Sequence, residues 1–188
     1  MDLRNLFNLS SKGWLSGGEE TRCGGGSTIE STKEIREQLP ELIDALYIET
    51  ILDIGCGDLN WIHDVIPGNV EYTGIDWVLK QDALNRKKPN MRLIDGNIFE
   101  NNITKYDLII CKDVMIHFDL ETAFDLYNMI LESGSGYLLA TTYDNDNNYG
   151  NDASVYWKIN LDIEPFGKMA KSVCYDREND KLLRLYKI

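Results

Sequence analysis

The chain has 188 residues, enough for one ordinary domain with a substantial core, and a formal net charge of −12. Proteins that hold duplex nucleic acid usually present a basic stripe, so this charge disfavours nucleic acid as a partner, although a local basic patch would override the total. No apolar run approaches the ~20 residues that cross a bilayer, which predicts no membrane span.

The cysteines and the opening residues indicate the compartment. The four cysteines are widely spaced with no Cys-x-x-Cys pair, so we expect free thiols and neither a zinc site nor a disulfide framework. The opening residues lack a basic flank followed by a long apolar region, so we expect no secretory signal. Together these features predict a cytoplasmic protein without a bound metal.

Residues 1–30 are rich in glycine and serine and are predicted to form a flexible arm or lid. Residues 31–188 are predicted to form a single domain. It begins with a helix that Thr28 or Ser31 can cap, with apolar residues at helical spacing. The apolar patterns that follow predict strands at 50–55, 70–76, 91–95, 106–112 and 137–141, and helices at 59–66, 77–87 and 119–131.

Strands that alternate with helices predict an α/β fold with a doubly wound, parallel sheet. The pattern changes near the end of the chain, where residues 172–188 predict two strands joined by a polar turn at 177–180. A short turn of this kind makes a hairpin. The last strand is therefore expected to run antiparallel to its neighbours.

The most informative segment is residues 51–58, a short apolar run that carries one acid and then breaks at Gly55 and Gly57. This pattern predicts a buried strand that ends in a tight loop near a ligand. A dinucleotide-binding loop needs a third glycine three residues after the second, where this chain has Asn60. Asp58 adds a carboxylate that would repel a phosphate. The loop is therefore better suited to a nucleoside without phosphates.

These residues resemble motif I of the class I S-adenosylmethionine-dependent methyltransferases. Between about Gly17 and Phe166, further segments resemble a subfamily of bacterial and phage methyltransferases, namely residues 18–28, 57–61, 111–113 and 133–139. The resemblance implies that S-adenosylmethionine is the cofactor and S-adenosylhomocysteine its product. It also implies a Rossmann-like seven-stranded sheet, mostly parallel, with an antiparallel C-terminal hairpin strand.

Acidic residues at the predicted strand ends have roles that follow from this resemblance. Asp76 can accept hydrogen bonds from both ribose hydroxyls, and a helix N-cap is its alternative, compatible role. Asp95 can accept a bond from the adenine amino group, with Asn97 completing recognition of the ring, although Asp-Gly also forms simple turns. Trp77 would lie against the adenine edge or pack at the surface of the core.

Two basic residues complete the predicted cofactor site. Arg22 would pair with the methionine carboxylate as the arm closes, the alternative being a solvated side chain in a disordered arm. Lys112 stands where the subfamily has arginine, which keeps the charge but not the bidentate geometry. The predicted cofactor-binding residues are Arg22, Asp53, Gly55, Cys56, Gly57, Asp76, Trp77, Asp95, Gly96, Asn97 and Lys112.

Residues 111–118 follow the predicted central strand and indicate the class of acceptor. They lack the Asp/Asn-Pro-Pro-Tyr/Phe motif of enzymes that methylate base amines and the Pro-Cys of cytosine-carbon enzymes, and instead resemble small-molecule methyltransferases. Asp113 and His117 are candidate catalytic bases that could both face the methyl group, and a structural role is the alternative for His117. Trp61 and Tyr143 are predicted to border the acceptor.

The sequence therefore predicts a methyltransferase that acts on a small polar acceptor, such as the hydroxyl of a sugar or sugar nucleotide. Two alternatives stay open. A basic groove built from Lys12, Arg22, Arg86 and Lys112 would indicate an enzyme that modifies nucleic acid or nucleotides. A blocked acceptor pocket would indicate a non-catalytic protein that binds S-adenosylmethionine.

Overall fold

The structure is a computed structural model that describes residues 20–148, 157–178 and 181–188. It contains two compact units, Met1–Asn101 and Asn102–Ile188. Most of the predicted arm, residues 1–19, lies outside the described residues. The division predicted at residue 30 therefore stays a prediction.

The described part of the first unit contains three parallel strands, β1 (Thr50–Ile54), β2 (Glu71–Asp76) and β3 (Met91–Asp95). β2 pairs with both of the others, in a register that places Asp76 beside Asp95. The carboxyl ends of the strands therefore meet at one edge, which is where ligands bind in open α/β sheets.

Two helices of the first unit follow the predicted patterns. Helix α1 (Lys33–Ala45) buries the residues that repeat at helical spacing, which are Ile35, Leu39, Leu42 and Ile43. Helix α2 (Gln81–Arg86) is shorter than the predicted segment at 77–87, and Lys80 lies before it in an extended conformation. The sequence therefore located α2 correctly but extended it at its N-terminal end.

The helix predicted at 59–66 is wrong, because this segment forms turns. Leu59 has φ 61°, in the left-handed region, which interrupts a right-handed helix at its start. The Asp58 carboxylate accepts a bond from the Asn60 N–H, and His63 Nδ1 contacts the carbonyl oxygens of Leu59 and Asn60. Such local side-chain bonds offer the backbone an alternative to the helical ladder.

The second unit begins with two parallel strands, β4 (Leu108–Cys111) and β5 (Tyr137–Tyr143). Helix α3 (Leu120–Glu132) connects them and begins at an N-cap, Asp119, whose side chain accepts from the Thr122 N–H. β4 is buried along its whole length, as its continuous apolar run predicts.

The second unit ends in an antiparallel hairpin. β6 (Ala170–Glu178) pairs with β7 (Lys181–Lys187), and β7 also pairs antiparallel with β5. The described residues thus include seven strands. The predicted α/β class, with parallel strands and an antiparallel strand at the C-terminus, is confirmed. Across the described ranges, the structure contains no helix that is both long and apolar enough to span a bilayer.

Candidate functional site

The loop after β1 has the conformation that its glycines permit. Gly55 has φ 76° and Gly57 has φ 59°, values that residues other than glycine rarely adopt. The N–H groups of Gly55 and Cys56 donate to the carbonyl of Ile75 on the neighbouring strand, at 2.8 and 3.2 Å. The loop is thereby fixed against the end of β2.

Asp76 ties this loop to the second strand end. One carboxylate oxygen accepts from the Gly57 N–H at 2.9 Å, and the other accepts from the Val78 N–H at 3.0 Å. Burial raises the pKa of Asp76 above its ordinary value although both N–H groups act in the opposite direction. Since each carboxylate oxygen has a second lone pair, this carboxylate can accept two further donors.

The third strand end forms a capped turn. Asp95 ends β3, and the Gly96 N–H donates to the Asp76 carbonyl at 2.9 Å. Asn97 caps a 3₁₀ turn by accepting from the Phe99 N–H at 3.0 Å. The side-chain oxygen of Asn97 thus has a structural partner, while the adenine-binding roles of Asp95 and Asn97 stay predictions.

Asp53 lies within β1 and is buried, unlike Asp76 and Asp95 at the strand ends. Its carboxylate accepts a hydrogen bond of 2.5 Å from the Tyr72 hydroxyl. Burial and the nearby Asp53 raise the pKa of Tyr72 well above its ordinary value, so the phenol stays protonated and remains a donor. This contact links β1 to β2.

A segment of residues 20–29, which we call the clasp, covers the loop. Its anchor is Asp58, whose side chain is 2% exposed. The Asp58 carboxylate accepts from the Thr21 hydroxyl and the Arg22 N–H, both at 2.9 Å, and lies 3.4 Å from Arg86 Nη1. Asp58 is therefore enclosed and paired, and its predicted role of repelling a phosphate is wrong.

Asn60, at the position of the missing third glycine, also binds the clasp through hydrogen bonds. Its amide donates to the Glu20 carboxylate at 2.7 Å and to the Ser27 carbonyl at 3.0 Å. Glu20 also accepts from the Ile29 N–H, and its carbonyl accepts from Arg86. The clasp is thus held by donors and acceptors distributed over its whole length.

Cys23 packs against the loop at Gly57. A Cβ atom added to Gly57 would lie 2.4 Å from Cys23 Sγ, so glycine is required there for packing as well as for its φ angle. The same sulfur accepts from the Asp58 N–H at 3.3 Å. Burial, together with the charge of Asp58, raises the pKa of Cys23 to about 12, so it is a packing thiol and not a nucleophile.

The remaining predicted site residues of the first unit differ in their exposure to solvent. The Arg22 side chain is 59% exposed, with Nε 3.8 Å from an Asp82 carboxylate oxygen. Cys56 is buried, and burial raises its pKa well above the ordinary value. Trp61 is buried, whereas Trp77 is half-buried directly after Asp76.

In the second unit, Asp113 is the centre of a group of charges. It follows β4 and has φ 57°, which is uncommon for a residue other than glycine. Its carboxylate lies 2.8 Å from the Nζ atoms of both Lys112 and Lys181, and it accepts from the Thr141 hydroxyl at 2.9 Å. Burial would raise the pKa of Asp113, but the two lysines outweigh it and hold that pKa well below its usual range.

His117 ends a 3₁₀ turn at Met115–His117 and is half-buried. Trp157 fixes this turn: its backbone N–H donates to the Ile116 carbonyl at 2.9 Å, and its indole N–H donates to the Phe118 carbonyl. His117 therefore lies on a rigid segment. Tyr143, at the end of β5, is buried with Lys158 Nζ 5.9 Å from its ring centre.

Sequence reasoning missed the partners of Asp58 and Asp113. Thr21 and Arg86 on Asp58, and Lys181 on Asp113, are far from those residues in sequence. The acid inside the Gly-x-Gly loop was the one available signal for Asp58. For Lys181 there was none, because a lysine at the start of an antiparallel strand is ordinary.

The chain is similar to known proteins in structure but not in sequence. No protein-family model matches the chain, and no curated protein sequence matches it. Solved structures do match. The magnesium protoporphyrin IX methyltransferase of Synechocystis PCC 6803 with bound SAH is 14% identical, with a TM-score of 0.69, and the match covers 98% of this chain and 96% of that chain.

Two further solved structures have the same fold. The 1,6-didemethyltoxoflavin-N1-methyltransferase of Burkholderia thailandensis is 15% identical, with a TM-score of 0.67 over 98% of this chain and 86% of that chain. The N-methyltransferase NodS of Bradyrhizobium japonicum is 14% identical, with a TM-score of 0.65 over 95% of this chain and 97% of that chain. The chain thus has the fold of these methyltransferases.

Proposed function

We propose that the protein is a methyltransferase that uses S-adenosylmethionine and acts on a small polar acceptor. The observation that carries the proposal is the arrangement around Asp76. Its half-buried carboxylate adjoins a Gly-x-Gly loop, and its two oxygens can each accept one more hydrogen bond. A ribose diol supplies two donors at the spacing of one carboxylate.

The loop itself favours a nucleoside over a dinucleotide. Pyrophosphate is bound at the N-terminus of a helix that follows the glycine loop. Here the described residues 59–66 form turns, and Asn60 occupies the position of the third glycine. The preference for a nucleoside therefore rests on these turns and on Asn60, since Asp58 is paired inside the protein.

The cofactor residues of the proposal lie in the first unit. Asp95, Gly96 and Asn97 would receive the adenine ring, as their place at the end of β3 supports. Bound S-adenosylmethionine would supply an electrophilic methyl carbon, so the protein's main tasks are alignment and exclusion of water. Arg22, exposed and only loosely paired with Asp82, is free to turn towards a cofactor carboxylate.

His117 is the proposed general base of the second unit. Asp113 is less suited to this role, because two ammonium groups and a hydroxyl already stabilise its charged form. Neutral imidazole accepts a proton near neutral pH. A hydroxyl acceptor, such as that of a sugar or sugar nucleotide, would use this base, whereas an amine would react without it.

The nucleic-acid alternative has little support. Of the four basic residues that would have built a groove, Arg86 is paired with Asp58 and Lys112 with Asp113, and Lys12 lies outside the described residues. Each paired lysine or arginine loses most of its attraction for phosphate. A small-molecule acceptor is therefore preferred.

Calorimetry with S-adenosylhomocysteine and NAD tests the proposal. We expect S-adenosylhomocysteine to bind and NAD to give no signal. Asp76→Ala should weaken S-adenosylhomocysteine binding by about 2–4 kcal/mol, since each hydrogen bond to a charged group contributes ~1.5–3 kcal/mol. Glu71→Ala is the matched control, because Glu71 is the exposed acid at the opposite end of β2. Tight NAD binding without S-adenosylhomocysteine binding would overturn the assignment.

A further inference from the structure

Residues 113–118, which we call the His117 turn, lie between β4 and α3 and carry the proposed general base. Inside the turn, the His117 N–H donates to the Val114 carbonyl at 3.0 Å, and the Phe118 N–H donates to the Met115 carbonyl at 3.1 Å. A 3₁₀ turn this short has poor hydrogen-bond geometry and little stability of its own. The position of His117 therefore depends on contacts from outside the turn.

Thr141, a buried residue of β5, holds the beginning of the His117 turn. The Asp113 N–H donates to the Thr141 hydroxyl oxygen, and that hydroxyl donates to the Asp113 carboxylate, both at 2.9 Å. Lys112 and Lys181 contact the same carboxylate. Asp113 has φ 57°, and a left-handed residue other than glycine persists only where its surroundings fix it. These contacts thus keep the first residue of the turn in a conformation that is unfavourable in isolation.

Trp157, which is 5% exposed, holds the other end of the His117 turn. Its backbone N–H donates to the Ile116 carbonyl at 2.9 Å, and its indole N–H donates to the Phe118 carbonyl. These two carbonyls belong to the residues immediately before and after His117. One tryptophan therefore binds the backbone on both sides of the proposed base.

The segment that carries Trp157 also binds the end of β5. Two residues after Trp157, the Ile159 carbonyl accepts from the Tyr143 N–H at 2.8 Å. β5 therefore contacts the His117 turn in two ways, directly through Thr141 and indirectly through the segment of Trp157 and Ile159. This closed set of contacts fixes the backbone of His117 relative to that of Tyr143, which is predicted to border the acceptor.

We propose that Trp157 and Thr141 are positioning residues, which hold His117 where it can accept a proton from the acceptor. This inference rests on the proposed methyltransferase function, in which the hydroxyl proton of the acceptor would pass to the imidazole nitrogen of His117. A general base must lie within hydrogen-bonding distance of the proton that it removes, and a catalytic group must be held within about 0.5 Å of its productive position. A turn held at both ends meets this requirement.

Hydrogen exchange and NMR on the full chain test the inference. Trp157→Phe keeps an aromatic ring but removes the indole donor. The amides of His117 and Phe118 should then exchange about fivefold faster, as expected for the loss of one hydrogen bond. The imidazole ring signal of His117 should also shift, while that of His63 should not. These two residues are the only histidines of the chain, so each signal can be assigned.

Two substitutions of Thr141 test the other end of the turn and decide the question even if Trp157→Phe does not fold. Thr141→Val removes the hydroxyl and should speed exchange at His117 and shift its ring signal, whereas Thr141→Ser keeps a hydroxyl and should largely restore both. Tyr127→Phe is the matched control. The buried Tyr127 hydroxyl oxygen accepts from the Lys168 N–H at 2.9 Å, a bond that does not involve the His117 turn, so this variant should change neither quantity.

Calorimetry with S-adenosylhomocysteine on the same proteins separates this inference from the proposed function. We expect the same affinity in the wild type and in every variant, because the cofactor residues of the proposal lie in the first unit. Loosening of the His117 turn in a protein that does not bind S-adenosylhomocysteine would support the contacts of Trp157 and Thr141 and contradict the methyltransferase proposal. Unchanged exchange and ring signals in both Trp157→Phe and Thr141→Val, or equal changes in Tyr127→Phe or at His63, would overturn the inference.

Discussion

Asp58 and Asp113 are both carboxylates that follow a parallel strand, but their surroundings differ in charge. Asp58 faces one arginine and otherwise neutral donors: a hydroxyl and two backbone N–H groups. Asp113 faces two lysines and one hydroxyl. Asp58 thus lies beside one cationic side chain and Asp113 beside two.

The two sites also differ in access to solvent. Asp58 is enclosed by the clasp, with its side chain 2% exposed, whereas the Asp113 side chain is 21% exposed. A balanced, enclosed carboxylate holds segments of chain together. We therefore assign Asp58 a structural role, which is to hold the clasp against the loop after β1.

The largest expected effect concerns His117, the proposed general base, which belongs to the same unit as Asp113. His117→Ala should lower the turnover rate by roughly 10²–10⁴ if His117 is the general base, with little change in cofactor affinity. Single-turnover rates and S-adenosylhomocysteine calorimetry on the same variant separate the two quantities. His63→Ala is the control, because the other histidine of the chain is bonded to local carbonyls. Turnover close to wild type at every pH would give His117 a structural role and favour an amine acceptor.

The next largest effect tests the structural role of Asp58. Asp58→Ala should lower the free energy of unfolding by about 3–5 kcal/mol, because it leaves Arg86 and the Thr21 hydroxyl without their buried partner. Urea denaturation measures this loss. Asp82→Ala removes an exposed ion pair with Arg22 and should cost less than ~1 kcal/mol. Equal losses would mean that the clasp does not depend on Asp58.

The sequence predicted the features that depend on short-range patterns and missed those that depend on contacts between distant residues. The strand ends and the Gly-x-Gly loop follow from short-range patterns, and Asp76 and Asp95 do end the strands that were predicted to carry them. The clasp contacts join residues more than 30 positions apart, and Lys181 lies 68 positions from Asp113. Such pairs depend on strand register and loop path, which periodicity does not encode. The wrong helix at 59–66 has a different origin, since local side-chain bonds and the left-handed φ of Leu59 compete there with the helical pattern.

A double substitution examines how rigid the clasp is. Gly57→Ala should cost about 2–3 kcal/mol, because a left-handed residue with a Cβ is strained by ~1–2 kcal/mol and the new atom would collide with Cys23 Sγ. In a Cys23→Ala background the sulfur is gone, and the nearest remaining Cys23 atom, Cβ, is 3.5 Å away. Gly57→Ala should then cost only the backbone strain. Denaturation of the wild type, the two single variants and the double variant gives the coupling free energy between Gly57→Ala and Cys23→Ala. Strictly additive losses of stability would show that the clasp moves away from the new methyl group at no cost in free energy.

The smallest effect tests the charge around Asp113 through its dependence on pH. The lysines lower the pKa of Asp113 in the folded protein, so its ionised form contributes stability that is present above the unfolded pKa of ~3.9 and is lost as pH falls. Asn tolerates the left-handed backbone but cannot ionise, so Asp113→Asn lacks this contribution at every pH. The difference in unfolding free energy between wild type and Asp113→Asn should therefore shrink by about 1 kcal/mol between pH 6 and pH 3. Lys187→Gln changes no group that titrates in this range, so its difference from wild type should stay constant. A constant difference for Asp113→Asn as well would show that the two lysines do not hold the carboxylate, and the contrast with Asp58 would then lose its electrostatic basis.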